Sequence, residues 1–124
     1  MTIAPAISRV RVNAFRFPTD APEADGTIAW DATTMVLVEI EAGGQHGLGY
    51  SYAAAAAAEV ADEVLAKVII GQDAFAVPKL WTAMVRAVRN IGWRGISACA
   101  ISAVDVALWD LKARLLDLPL AALF

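Results

Sequence analysis

Six aliphatic side chains recur towards the C-terminal end of the sequence at intervals of three, four, three, four and three residues. They are Ile101, Val104, Leu108, Leu111, Leu115 and Leu118. Because an α-helix turns once in about 3.6 residues, this spacing places all six on one face. The stripe predicts a long amphipathic helix that has to pack against a second layer, and Pro119 is expected to end it.

The first half of the chain follows the period of two that is typical of strands. Between Ser8 and Phe17, apolar and polar residues alternate, and Pro18 is expected to end this strand because proline cannot donate to a sheet. Thr33–Glu41 repeats the alternation, with β-branched residues on one face. Gly43 and Gly44 then predict a turn into a third strand at Gly47–Tyr52.

A polar stretch with proline and glycine, Thr19–Asp31, predicts a long loop between the first two strands, and such loops are often functional. The alanine-rich segment Ala53–Ile70 predicts a helix that Gly71 stops, and Pro78 opens a second helix that ends near Gly92. Three strands followed by three helices predict an α+β domain over residues 1–124. A three-stranded antiparallel meander should carry the helices on one face.

Composition narrows the classes of function. The chain is 59% hydrophobic with a mean hydropathy of +0.56, but alanine supplies most of this excess. The most apolar stretch, Ile96–Leu111, contains Asp105 and Asp110 and is too short to span a bilayer, so no membrane association is expected. A net charge of −3 argues against nucleic-acid binding. One cysteine and no signal-like N-terminus favour a cytoplasmic protein.

Several residues raise the question of chemistry within this chain. The glycine-rich stretch Gly43–Gly49 lacks the spacing of a dinucleotide fingerprint and the lysine of a P-loop, so a hairpin turn is favoured over phosphate binding. His46 is expected to be exposed there, without further ligands for a metal. Cys99 has no partner histidine at a recognisable distance, which favours a packing role. Asp105 and Asp110 should point in different directions on one helix, so they are not a carboxylate pair.

The segment Ala100–Arg114, AISAVDVALWDLKAR, followed by Pro119 and Leu120, closely resembles the signature helix of the mandelate racemase/muconate lactonizing enzyme family. GLGY at Gly47–Tyr50 is similar to the third strand of that family. GQD from Gly71 and VPKLW from Val77 are similar to the entry of its second helix. The chain is therefore identified as resembling the N-terminal capping domain of an enolase-superfamily enzyme.

This resemblance implies a function that the chain fulfils together with a second domain. In the family, the capping domain closes over a (β/α)₈ barrel whose residues bind Mg²⁺ and remove a proton next to a carboxylate. The reactions include racemisation, epimerisation, cycloisomerisation and dehydration of sugar acids. Dehydration or epimerisation of a sugar acid is the preferred expectation, because the polar and aromatic loop residues suit a hydroxylated acid better than a hydrophobic one. No catalytic or metal-binding residue is then expected in this chain, and Mg²⁺ would be held by the barrel.

The resemblance also implies where a carboxylate substrate, such as a sugar acid, would touch this chain. Two loops should close over the barrel, at Thr19–Asp31 and Tyr50–Ala54. The candidate substrate-binding residues are Asp20, Trp30, Tyr50, Ser51 and Tyr52. The barrel and further copies of the protein are the expected partners. The alternative is a stand-alone, non-catalytic module that associates through its apolar helix face.

Overall fold

The computed structural model describes residues 3–124 as an antiparallel sheet covered by helices. Its strands are β1 (Ile7–Ala24), β2 (Ala29–Ala42) and β3 (Gln45–Tyr52), in the spatial order β1-β2-β3. Both strand pairs are antiparallel. The expected meander and the α+β class are therefore confirmed.

Three helices follow the sheet, as predicted. Helix α1 consists of the consecutive segments Ala56–Val60, Ala61–Leu65 and Ala66–Ile69, of which the middle one is π-helical. Helix α2 spans Val77–Ala87 with Pro78 in its first turn, and helix α3 spans Ile96–Leu115. A short 3₁₀ turn, Leu120–Leu123, ends the chain.

The predicted stop at Pro18 was wrong. Strand β1 continues through Pro18, which lies opposite Ala32, to Ala24, and a register shift between Pro18 and Glu23 absorbs the irregularity. Strand β1 is at the edge of the sheet, where proline is tolerated because its missing N–H group can face away from the neighbouring strand. Consequently the predicted loop Thr19–Asp31 is mostly a β-hairpin.

The predicted end of the long helix was also wrong by three residues. Helix α3 ends at Leu115, and Asp117 then adopts a left-handed conformation with φ = 53°. The N–H groups of Asp117 and Leu118 donate to the carbonyl oxygens of Arg114 and Ala113, the pattern that closes many helices. Leu118, expected to be the last residue of the apolar stripe, is 46% exposed.

The core lies between the helix-facing side of the sheet and the helices. Val36, Val38 and Ile40 of β2 are fully buried, and Leu108 and Leu111 of α3 are buried against them in the same cluster. The alternating residues of β2 therefore face the core, as the sequence pattern predicted. This packing fixes β2 and β3 on α3. The hairpin formed by the last residues of β1 and the first residues of β2 is mostly exposed.

Candidate functional site

A cleft of about 510 Å³ lies where β3 leaves the sheet. Strand β3 ends at Tyr52, opposite Met35, whereas β2 extends further, to Ala29, paired with β1. The chain turns away at Ala53 and Ala54 towards α1, and the resulting gap is the cleft. Its lining residues are Glu23, Trp30, Ala32, Thr33, Thr34, Tyr52, Ala53 and Ala54.

Glu23 and Trp30 form the side of the cleft that belongs to the hairpin. They are opposite each other across β1 and β2, just beyond the register shift. The indole Nε1–H of Trp30 donates to Oε2 of Glu23 at 3.0 Å. A cross-strand contact of this kind limits the rotamers of both side chains, so the indole and the carboxylate are oriented together.

The tip of the same hairpin is held by Asp25. Its Oδ1 accepts hydrogen bonds from the N–H of Ile28 at 2.9 Å, and from the hydroxyl and the N–H of Thr27, both at 2.7 Å. The N–H of Ile28, then the hydroxyl and N–H of Thr27, lower the pKa of this exposed carboxyl below its usual value. The turn between β1 and β2 is therefore an ordered Asx-type turn.

The five candidate substrate-binding residues do not form one cluster. Trp30 and Tyr52 both line the cleft. Ser51 faces α3, where its hydroxyl donates to the carbonyl oxygen of Cys99 at 2.6 Å. Tyr50 is 58% exposed and lies opposite Leu37 on the sheet face away from the helices, and Asp20 is exposed on β1 outside the cleft lining.

Sequence reasoning missed Glu23, Thr33 and Thr34 as cleft residues. Glu23 is brought beside Trp30 only by the pairing of β1 with β2, and the stretch had been interpreted as a loop. A signal was nevertheless present in the turn itself, since Asp25 is followed directly by Gly26. That pattern is typical of a hairpin turn.

The glycines Gly47 and Gly49 have a packing role, which agrees with the preference for a hairpin over a phosphate loop. A Cβ atom on Gly47 would overlap the carbonyl oxygen of Ala107, and one on Gly49 would overlap that of Ala103. The absence of side chains therefore lets β3 lie directly on the backbone of α3.

Asp110 connects the same two elements. Its Oδ2 accepts the N–H of Leu48 at 2.8 Å and the Nε–H of Arg114 at 3.0 Å. The carboxylate of Asp110 thus helps to fix α3 on β3.

The helical layer exposes several large apolar side chains. Trp81 and Trp93 are in edge-to-face contact, with ring centroids 6.2 Å apart, and Phe124 contacts Trp109 at 5.1 Å. The members of this exposed helical surface that are at least 39% exposed are Trp81, Ile91, Trp93, Ile96, Val106, Leu116, Leu118 and Phe124. Large apolar side chains left exposed in this way, two of them aromatic and in contact, are typical of an interface.

Asp105 lies half-buried on α3 beside this surface, next to Val106. Within residues 3–124, neither a hydrogen bond nor an ion pair to its carboxylate is present. Burial raises the pKa of Asp105 above its ordinary value because the charged form loses solvation.

We expect Asp105→Asn to make the chain more stable at neutral pH, by a difference that depends on pH. Ionisation of Asp105 costs the folded state more than the unfolded state. The stability that the protonated carboxyl contributes is therefore fully present below the unfolded pKa, near 3.8, and is lost as pH rises through the folded pKa. Urea denaturation between pH 3 and 7 measures this difference. The exposed neighbour Ser102 supplies a control, since Ser102→Ala should act equally at all pH values. A gap between wild type and Asp105→Asn that widens towards acid pH would contradict the assignment.

Among residues 3–124, there is no group of three or more His, Cys, Asp or Glu side chains arranged to hold a metal ion. His46 is exposed, with its Nδ1 3.5 Å from the carboxylate of Glu41.

In the same described part of the chain, none of the helices combines the length and apolar character that crossing a bilayer requires.

Comparison with known proteins assigns the fold to a family. Residues 9–124 match the family described as mandelate racemase / muconate lactonizing enzyme, N-terminal domain. The 3,6-anhydro-alpha-L-galactonate cycloisomerase of Streptomyces coelicolor is 38% identical over 95% of this chain and 34% of its own length. The D-galactarolactone cycloisomerase of Agrobacterium fabrum is 33% identical over 87% of this chain and 29% of its own length.

Solved structures agree with this assignment. A mandelate racemase/muconate lactonizing enzyme-like protein from Rubrobacter xylanophilus superposes with a TM-score of 0.94 at 51% identity, covering 96% of this chain and 33% of that one. L-Talarate dehydratase from Polaromonas, in complex with Mg and L-glucarate, gives a TM-score of 0.86 at 35% identity over 97% of this chain and 35% of that one. The chain thus spans about a third of the length of these relatives. From its fold, its signature helix and these matches, the chain belongs to the mandelate racemase/muconate lactonizing enzyme family and corresponds to that family's N-terminal domain.

Proposed function

We propose that residues 1–124 are the capping domain of a longer Mg²⁺-dependent enzyme that removes a proton next to the carboxylate of a sugar acid. The observation that carries this proposal is the match of residues 9–124 to an N-terminal domain whose relatives are about three times as long. The relatives include cycloisomerases and sugar-acid dehydratases. Dehydration or epimerisation of a sugar acid is the reaction that we favour.

The residues of this chain do not fit a magnesium site. Residues 3–124 contain no cluster of three carboxylate, histidine or cysteine side chains, and Mg²⁺ requires several oxygen ligands. Magnesium accompanies relatives whose chains are much longer, such as the racemase from Streptomyces coelicolor. We therefore assign metal binding and proton transfer to a second domain, and we derive no catalytic step from this chain.

The contribution of this chain is to cover the substrate. The exposed helical surface is suited to contact the second domain, because it combines tryptophan and aliphatic side chains as interface cores do. The cleft would then face the substrate with the indole of Trp30, the phenol of Tyr52 and the hydroxyls of Thr33 and Thr34. A cover of this kind excludes water and discriminates between substrates.

We expect Trp30→Ala and Tyr52→Ala in the full-length protein to change substrate preference much more than stability. Tyr52 is 70% exposed, so its truncation removes little packing. Each change should alter the ratio of kcat/KM between two sugar acids by roughly tenfold, the value of one lost aromatic contact. The readout is kcat/KM for a panel of sugar acids, with thermal denaturation of the same samples. Leu48→Ala, an exposed residue of β3 outside the cleft, is the control. A large loss of stability with unchanged preference would contradict the proposal.

A stand-alone association module is the second candidate. The exposed helical surface supports it, because the same apolar side chains would be buried if copies of the chain associated. Sedimentation equilibrium of residues 1–124 and of the full-length protein distinguishes the two functions. Under the capping proposal, Trp93→Asp should impair domain docking and activity in the full-length protein. If the chain is a stand-alone module, Trp93→Asp should instead dissociate copies of residues 1–124. We also propose that the full-length protein forms a homo-oligomer in the cytoplasm.

A further inference from the structure

The cleft has an unusual charge for a site that receives an acid. Its eight lining residues include one acidic residue, Glu23, and three residues that carry a hydroxyl group, Thr33, Thr34 and Tyr52. None of these eight residues is lysine, arginine or histidine. A cleft that binds a carboxylate group normally presents a cation to it, often arginine. The lining therefore suits a hydroxylated, uncharged group.

The orientation of Glu23 supports the same conclusion. Its Oε2 accepts the indole N–H of Trp30 at 3.0 Å, which holds the side chain against the hairpin. An ionised carboxylate only accepts hydrogen bonds, and its two oxygens together offer about four acceptor sites. One is used by Trp30, and within residues 3–124 no second hydrogen bond or ion pair to this carboxylate is present, so its other acceptor sites are open to a donor of the substrate. Hydroxyl groups are such donors, whereas a second carboxylate is not.

We propose that Glu23 is a specificity-determining residue, which selects substrates whose end remote from the reacting carboxylate carries hydroxyl groups and no charge. The chemical class is the aldonate, including its cyclic anhydro forms, and the class rejected is the aldarate, which bears a carboxylate at both ends. This inference rests on the proposed capping function. The second domain would bind the reacting carboxylate, and the other end of the substrate would meet Glu23.

The discrimination between aldonates and aldarates depends on repulsion between the carboxylate of Glu23 and a second carboxylate of the substrate. Glu23 is exposed in this chain, and the proposed second domain would cover the cleft and remove water from it. A remote carboxylate held there would lie close to that of Glu23, and repulsion in such a covered space is stronger than in bulk water. An aldonate replaces this repulsion with a hydrogen bond from its terminal hydroxyl group. Because the repulsion is electrostatic, added salt should weaken the preference.

The test compares aldonates with aldarates of the same configuration, for example galactonate with galactarate, in the full-length protein. We expect the kcat/KM of wild type to be roughly tenfold higher for the aldonate of each pair than for the aldarate. Glu23→Gln should reduce this ratio of kcat/KM values by roughly tenfold, mainly because the aldarate is turned over faster. Glutamine retains an acceptor oxygen for Trp30, so the hairpin should stay intact, and tryptophan fluorescence checks this. Glu59→Gln removes an equal charge from an exposed position of α1 and should leave the ratio unchanged.

The outcomes separate this inference from the function on which it rests. If both acids of a pair are turned over and Glu23→Gln leaves their ratio unchanged, the role of Glu23 is wrong and the capping function stands. A wild-type preference for aldarates would overturn the role of Glu23 in the same way. If the full-length protein exchanges the α-proton of no sugar acid, the proposed function is wrong and the inference falls with it.

Discussion

Replacing Gly49 with alanine is expected to lower the free energy of unfolding of the chain by about 3 kcal/mol, the upper part of the range for overpacked cores. The new Cβ atom would overlap the carbonyl oxygen of Ala103 and crowd the N–H of Ala107. Both are backbone atoms of α3, which cannot rotate away as a side chain can. Strand and helix must therefore separate, and the core between them loses contact.

Urea denaturation followed by circular dichroism measures this effect. Gly26→Ala is the matched control, because Gly26 lies in the hairpin turn, its φ is not in the left-handed region, and nothing lies within 4 Å of the position of an added Cβ atom. We expect that control to change the free energy of unfolding by less than about 0.5 kcal/mol. Equal effects of the two substitutions would show that β3 and α3 are not in direct backbone contact.

Leu108→Ala is expected to destabilise the chain by about 3 kcal/mol, since it removes a fully buried side chain from the centre of the helix stripe. The loss combines the transfer of the missing methyl and methylene groups with the cavity that remains. Val106→Ala on the same helix is the control, because Val106 is 42% exposed. Denaturation of both variants should show a clear difference, and a loss below about 1 kcal/mol for Leu108→Ala would mean that α3 packs through another face.

The fold was predictable where one physical requirement dominated. The stripe from Ile101 to Leu111 had to be buried, and it is, while the period of two in β2 identified the core-facing side chains before their partners were known. The turn at Gly43 and Gly44 was predictable because glycine readily adopts positive φ. Both residues do so in the structure, with φ of 56° and 77°.

The errors arose where tertiary context decided the outcome. A proline such as Pro18 would break a central strand. Strand β1 is at the edge of the sheet, however, and sequence alone does not reveal that position. Helix α3 ends at Leu115 because the chain closes it with a left-handed Asp117 before Pro119 is reached.

The candidate site was predictable only in part for a related reason. The family resemblance suggested Trp30 and Tyr52 as substrate-binding residues, and both line the cleft. Glu23 was missed because its position depends on the register between β1 and β2, which the bulge after Pro18 shifts. Ser51 alternates with Tyr50 and Tyr52 along β3, and its hydroxyl therefore faces α3 and not the cleft.

The most direct test of the capping account is exchange of the α-proton of sugar acids in D₂O with Mg²⁺, followed by NMR, for the full-length protein and for residues 1–124 alone. Our account predicts exchange by the full-length protein, changed in its substrate preference by Trp30→Ala, and no exchange by the short chain at any Mg²⁺ concentration. Exchange catalysed by residues 1–124 alone, or none by the full-length protein with any sugar acid, would contradict it.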